Sequence, residues 1–190
     1  MNIDSSPKRD AILEAALGLF AERGFHGTPV PLIAERAEVG AGTVYRYFAN
    51  KEAIVNALYQ FWKQQLGAAL MSDLDVSRPA RELLHVFWRR LHSFAGTHPR
   101  VMAFLELHHH ESYLDEKSRE IEMALLLPIR AFVEEAQRRQ ALKPVSPEVL
   151  MAVVWGAFLG VFKACASKHL QASDDVLDTA EECVWQAIRV

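Results

Sequence analysis

Residues 43–51, TVYRYFANK, set a hydroxyl, two phenols, a guanidinium and an ammonium group close together along one short segment. Thr43 and Arg46 have the donors and acceptors that reach base edges in a major groove, and Tyr45, Tyr47 and Lys51 have those that hold phosphate oxygens. Between Val39 and Lys51 there are two basic residues and no acidic one, although Glu38 and Glu52 flank the segment. Near Thr28 and Gly42 two helix N-termini are expected, where free backbone N–H groups bind anions without side-chain charge. A different chemistry is offered by Glu82-Leu83-Leu84-His85 and Glu106-Leu107-His108-His109. Residues three apart project from one helix face, and paired E-x-x-H helices build carboxylate-bridged metal sites in bundles. A metal-dependent helical-bundle enzyme or metal sensor using the Glu82/His85 and Glu106/His109 pairs is therefore the alternative reading. It also needs single glutamates from two further helices, for which Glu120, Glu134 and Glu135 are generic candidates. No nucleophile elbow, phosphate-cradling loop or H-E-x-x-H signature is present, so the chain is read as a non-enzyme with neither cofactor nor metal.

The elements that must position the first set are legible around it. Thr28 is an N-cap and Pro29 a first helical residue, because the missing N–H of proline has no partner there anyway. Ile33, Ala34 and Ala37 follow at helical spacing. A second helix opens near Gly40 or Ala41, with Val44 and Phe48 four apart on its inner side. Residues 28–52 thus read as a helix-turn-helix. Ahead of it, Ser6-Pro7 starts a helix whose buried stripe is Ile12, Ala16, Leu19 and Phe20 and whose stop is Gly24. Lys8 and Arg9 in its first turn oppose the helix dipole, which suits phosphate contact or a solvated basic tip. Asn50 caps a long helix to about Met71, with Ile54, Leu58, Phe61 and Trp62 inside.

At these residues the chain resembles the TetR family of bacterial transcriptional regulators. The resemblance runs from Gly24 and Phe25, through Thr28, Ile33-Ala34 and Ala37, to Gly42-Thr43-Val44-Tyr45, Tyr47-Phe48 and Asn50-Lys51-Glu52, about the first third of the chain. Two positions depart from the family pattern. Glu38 stands where a turn glycine is usual, which implies backbone strain, and Gly40 stands where a capping serine is common. The resemblance implies a homodimer whose last two helices pair with their copies, a fourth helix that acts as the mechanical link, and repression relieved by a small-molecule effector. Two reading helices would then enter successive major grooves about 34 Å apart on a palindromic DNA operator.

Composition sets limits on this reading. With 190 residues, 51% of them hydrophobic, and a net charge of −3, the chain is neither disordered nor a basic polyelectrolyte. Up to residue 51, Lys8, Arg9, Arg23, Arg36, Arg46 and Lys51 are matched by Asp4, Asp10, Glu14, Glu22, Glu35 and Glu38. Affinity for DNA must therefore come from placement rather than from a global field. Cys165 and Cys183 make no metal spacing and read as reduced core residues. The opening MNIDSSPKRD lacks the apolar core of a signal peptide, and Val149 to Phe162 reads as a buried helix too short for a membrane span, so a cytoplasmic protein with no membrane partner is expected.

No strand alternation appears, and the expected fold is all-α. The expected division is a three-helix helix-turn-helix DNA-binding domain at 1–52 and a helical effector-binding and dimerisation domain at 53–190. Leu83, Leu84, Phe87, Trp88, Leu91 and Phe94 make a wide apolar face, Thr97-His98-Pro99 turns the chain, and Pro128 falls inside a long helix that it should kink. An effector pocket is expected from Phe87, Trp88, Phe104, His108, Trp155 and Phe158, with plain core packing as the other possibility for each. Ala152, Gly156, Gly160 and Ala164 form a small-residue ridge that admits a close partner helix, and Val184 and Ile188 continue the expected dimer interface on the last helix.

Overall fold

A computed structural model describes residues 6–107 and 111–190, and among these the chain is helical with no strand. Nine α-helices follow one another: α1 (Pro7–Arg23), α2 (Val30–Arg36), α3 (Ala41–Tyr47), α4 (Lys51–Met71), α5 (Ala80–Thr97), α6 (Pro99–Leu107), α7 (Glu116–Arg138), α8 (Pro147–Ala166) and α9 (Asp174–Ile188), with a 3₁₀ turn at Glu111–Tyr113. Packing divides the chain into two compact units, one of Met1–Gln65 with His98–Glu122, the other of Leu66–Thr97 with Met123–Val190.

In the first unit α1 packs on α2, α3 and α6. Its start follows the sequence logic: the Ser6 hydroxyl accepts from the Arg9 N–H at 3.2 Å, and Pro7 occupies the first turn. Ile12, Ala16, Leu19 and Phe20 are fully buried, and Phe104 of α6 stacks on Phe20 at 6.0 Å between ring centres. The helix ends at Gly24, whose φ of 68° suits glycine. The N-cap of α2 is Pro29, not Thr28. Thr28 is fully buried, and its hydroxyl instead donates to the Gly24 carbonyl at 2.8 Å, with the Leu19 carbonyl at 3.2 Å. An unpaired buried hydroxyl is costly, and two carbonyls at the end of α1 claim it before α2 begins.

The turn between α2 and α3 is a complete Schellman motif. Glu38 donates its N–H to Glu35 at 3.1 Å, and Val39 donates to Ala34 at 3.0 Å. Glu38 occupies the left-handed position with φ 54°, which accounts for the strain expected of a side chain at that point. The N-cap of α3 is Gly40, which offers no side-chain bond. Asn50 caps α4, accepting from the Ala53 N–H at 2.8 Å. Along α4 the inner stripe is Ile54, Val55, Leu58, Tyr59, Leu66 and Leu70, whereas Phe61 is 45% exposed and packs edge-on against Trp62. The reading of Phe61 as an inner residue is therefore corrected.

The second unit is built on contacts of α5 with α8 and α9, and of α8 with α9. Leu83, Leu84, Trp88, Leu91 and Phe94 of α5 are buried, and the Trp88 indole donates to the Leu177 carbonyl at 3.0 Å. Glu181 of α9 is 1% exposed and is held by Arg81 and by His85 Nδ1 at 2.8 Å, so its charge is paired rather than stranded. The α-helix α7 continues through Pro128. After it, Leu142 bridges to Arg189, and the Lys143 ammonium donates to the Ala187 carbonyl at 2.7 Å, where the last carbonyls of α9 need partners.

Helix α8 departs from its sequence reading. Only Leu150 and Phe158 of it are buried, and Val149 and Val153 are exposed. The reading of this helix as buried is therefore corrected; at 20 residues it extends beyond the run Val149 to Phe162, and by length and composition alone it is long and apolar enough to cross a membrane. Hydropathy reports that a surface wants cover and not which molecule supplies it.

Two stability predictions follow from backbone and burial. Replacing Glu38 with glycine removes the left-handed strain and is expected to raise stability by about 1 kcal/mol in denaturant titration; a decrease would show that the side chain makes up for its backbone. His92 lies between Trp88 and Phe158, with ring centres at 4.8 and 4.9 Å, and its buried Nε2 has no partner among the described residues. Burial, with a smaller contribution from Arg89, lowers its pKa from 6.5 to about 4. Between these values the unfolded chain takes up the proton first, so stability is lost as pH falls through that window. Allowing for partial exposure, a loss on the order of 1 kcal/mol is expected by thermal melts from pH 7 to 4.5, absent in His92→Leu.

Candidate nucleic-acid interface and effector cavity

The α3 helix divides cleanly. Val44 is 1% exposed and Phe48 5%, which seats one side on the core of the first unit. On the other side Gly42, Tyr45 and Arg46 are exposed, and Thr43 and Tyr47 are half-buried. Tyr45 is 55% exposed, unusual for an aromatic side chain with no packing role. The Tyr47 hydroxyl accepts from the Ser6 hydroxyl at 2.7 Å, which ties the start of α1 to the end of α3. The Arg46 guanidinium lies 5.3 Å from the centre of the Tyr47 ring. Hydrogen bonding from Ser6, then from Arg46, with the nearby charges of Arg46 and Lys8, lowers the Tyr47 phenol below its ordinary pKa. Arg9 stands 5.3 Å from the centre of the Phe48 ring. Lys8, Arg9 and Arg46 thus gather at one end of α3 although they are far apart in sequence. The opposed charges at the α1 N-terminus were the sequence signal for this cluster.

The remaining residues expected to touch DNA are placed differently. Thr28 is buried and its hydroxyl is committed to α1, so any contact there belongs to backbone N–H groups. The Lys51 ammonium donates to the Phe25 carbonyl at 2.7 Å and lies 3.9 Å above the Phe25 ring; burial pushes its pKa down. One of its three N–H groups is spent on the α1–α2 turn, and the others are left to act at the margin of α3.

The second unit contains a cavity of about 320 Å³ with walls from α4, α5, α7, α8 and α9. Of the residues expected to form it, Phe87 and Trp155 do. Trp88 and Phe158 are fully buried around His92 instead, and Phe104 belongs to the core of the first unit, because α6 packs on α1. His108 lies outside the described residues. Walls not foreseen come from Ile129 and Phe132 of α7, both just after Pro128, and from Trp185 of α9.

For the expected pairing surface, Ala152, Gly156 and Gly160 are exposed along α8, and Ala164 is half-buried. A Cβ added at Gly156 or Gly160 would meet nothing within 4 Å. Val184 and Ile188 are each 4% exposed and face inward, so they are corrected to core residues; α9 leaves Thr179, Cys183 and Ala187 outside. In the alternative metal reading, His85 is engaged by Glu181 rather than by Glu82. His109 and the side chain of Glu106 lie outside the described residues, and among the described residues no three His, Cys, Asp or Glu side chains are grouped to hold a metal.

Comparison with known proteins bears on both units. Residues 12–58 match the profile of bacterial regulatory proteins of the tetR family, and residues 59–190 match the tetracyclin repressor-like C-terminal domain. The chain is 25% identical over 171 residues to the uncharacterized HTH-type transcriptional regulator YhgD of Bacillus subtilis, covering 89% of this chain and 88% of that one. A solved structure from Vibrio parahaemolyticus, described as a putative TetR family transcriptional regulator, is 28% identical with a TM-score of 0.76, covering 96% of this chain and 99% of that one. The Bacillus subtilis regulator FadR, solved in complex with stearoyl-CoA, is 25% identical with a TM-score of 0.70 over 93% of this chain and 95% of that one. An outward-facing α3 on a helix-turn-helix, joined to an all-helical second part that matches the family over its whole length, makes this chain a member of the TetR family of bacterial transcriptional regulators.

Proposed function

We propose that the chain is a cytoplasmic repressor that binds a palindromic operator as a homodimer and leaves it when a small molecule fills the cavity of the second unit. Residues 1–52 would be the DNA-binding domain and 53–190 the effector-binding and dimerisation domain. The observation that carries this reading is the display of Gly42, Thr43, Tyr45 and Arg46 on a helix whose other side is anchored by Val44 and Phe48. Thr43 and Arg46 would read base edges; Tyr45, Tyr47, Lys8 and Lys51 would hold phosphates. A second copy would cover Ala152, Gly156 and Gly160, where small residues let helices approach closely, with Val149 and Val153 at the margin. Its two-fold symmetry would set the spacing of the half-sites.

The fourth helix supplies the link. It gives Ile54 and Val55 to the core of the first unit and Met71 to the cavity wall of the second. A ligand that favours one position of α4 would shift the population between DNA-competent and DNA-incompetent dimers by its difference in affinity for the two.

The test begins by selecting sites from random duplex DNA with the full chain. Tyr45→Ala and Arg46→Ala are each expected to weaken binding to the selected site by about 1–3 kcal/mol, roughly five- to 150-fold, without changing the dimer mass in sedimentation. Unchanged affinity in both variants would remove α3 as the reading helix. Gly160→Leu is expected to yield monomer with intact helicity; a variant that still sediments as dimer would move the pairing surface elsewhere.

A further inference from the structure

We infer that the cavity of the second unit takes an uncharged, hydrocarbon-rich molecule and discriminates against carboxylates, phosphates and quaternary ammonium ions. This rests on the reading of that unit as the effector domain and adds the chemical class of the effector. The wall is made by side chains such as Leu84, Phe87, Ile129, Phe132, Leu150 and Trp155. Among the described residues, none that lines the cavity is ionisable, and none carries a hydroxyl, carboxamide or carboxylate. A ligand charge inside would lose its water and find no counter-charge in exchange.

Of the cations next to the wall, three are engaged elsewhere, while Arg78 and Arg189, beside Val76 and Ile188, are exposed to solvent. Arg81 is paired with Glu181 and Glu182. Arg130 is paired with Glu134 and Glu148, each at 2.9 Å. Lys143 is bound to the Ala187 carbonyl at 2.7 Å. An anionic headgroup drawing on any of these three would have to break its arrangement, the first of which keeps the charge of buried Glu181 paired. A cation meets aromatic walls, but no acidic side chain lies among them, and on Trp185 the Arg81 guanidinium already stands 5.8 Å from the ring centre. The volume of about 320 Å³ is at the lower end for small-molecule sites, which suits a medium-length chain or a compact ring system over a large conjugate.

The inference is tested with three ten-carbon probes of equal chain length: 1-decanol, decanoate and decyltrimethylammonium. Each is titrated into the full chain at pH 7.5 below its self-association concentration. Binding is followed by calorimetry and by tryptophan fluorescence, since Trp155 and Trp185 line the cavity. The expected result is decanol binding at least tenfold more tightly than either ion. Met151→Trp, which fills the cavity, is expected to abolish decanol binding. Leu126 sits at the edge and is 38% exposed, so Leu126→Lys is expected to fold normally and to improve decanoate relative to decanol. Equal or tighter binding of decanoate or of the ammonium probe by the unaltered protein overturns the inference. So does a failure of decanol to bind protein that still holds its selected DNA site. Loss of DNA binding by the ligand-free chain counts against the regulator reading alone, since the probe ranking is measured without DNA.

Discussion

The side-chain amide of Asn56 has two N–H donors and two acceptor positions, and in this chain all four are used. Its nitrogen donates to the carbonyls of Glu52 at 2.9 Å and Tyr113 at 2.8 Å. Its oxygen accepts from the Asp115 N–H at 2.9 Å and the Ser118 hydroxyl at 2.7 Å. At 6% exposure, an unsatisfied atom here would cost about 1–3 kcal/mol, so the strand of chain from Tyr113 to Ser118 is fixed against α4 with little freedom. Much of the reading surface depends on that fixation. Tyr113 stacks on Phe25 at 3.8 Å, and its hydroxyl pairs with His26 Nε2 at 2.8 Å. Phe25 in turn carries the Lys51 ammonium. The α1–α2 turn is thus held from the start of α7 and from the start of α4 at once, and α3 inherits its direction from that turn through α2.

Placement, not composition, supplies the electrostatics. A net charge of −3 offers DNA nothing, yet Lys8 and Arg46 both stand close enough to Tyr47 to lower its pKa. Elsewhere in the first unit positive charge is neutralised where it braces helices: Arg36 of α2 bonds Glu22 of α1 at 2.9 Å. The same economy operates in the second unit, where Arg81 and His85 secure Glu181. Arg36 and Arg81 are thus consumed by packing, whereas Lys8, Arg9 and Arg46 at the end of α3 give that surface its sign.

The helix-turn-helix was legible because its signals are local. Caps, proline positions and the four-residue step from Val44 to Phe48 all act within a turn or two, and the structure follows them at Ser6-Pro7, Gly24, Gly40 and Asn50. What was illegible depends on partners distant in sequence. Thr28 has the residue type of an N-cap, but two carbonyls of α1 reach its hydroxyl first. Trp88, Phe104 and Phe158 have the spacing of a pocket wall, and periodicity does not separate a wall from solid core. Phe104 joins Phe20 because α6 leaves the second unit for α1, a matter of chain path. Val184 and Ile188 form a real stripe, but the stripe says only that something covers it, and α5 and α8 already do.

The second unit retains two apolar surfaces that its own chain leaves uncovered, and they differ in kind. One is a ridge of small residues at Gly156 and Gly160, where an added Cβ would meet nothing within 4 Å. A ridge without side chains gains little from a flexible ligand, but it admits another helix backbone at close range, so a rigid partner of similar shape is the occupant that benefits. The other is concave and walled by large side chains, Phe87, Phe132, Trp155 and Trp185 among them. Protein interiors normally close to near-crystalline density, and at about 320 Å³ this concavity has room for a small molecule. Pro128 stands in the wall at the middle of α7, where its ring replaces a backbone N–H and costs the helix a hydrogen bond. A proline there stiffens the wall locally while weakening the helical ladder beside it. A wall of that kind would be able to bend at one point on filling, as the proposed ligand-driven shift of α4 would require.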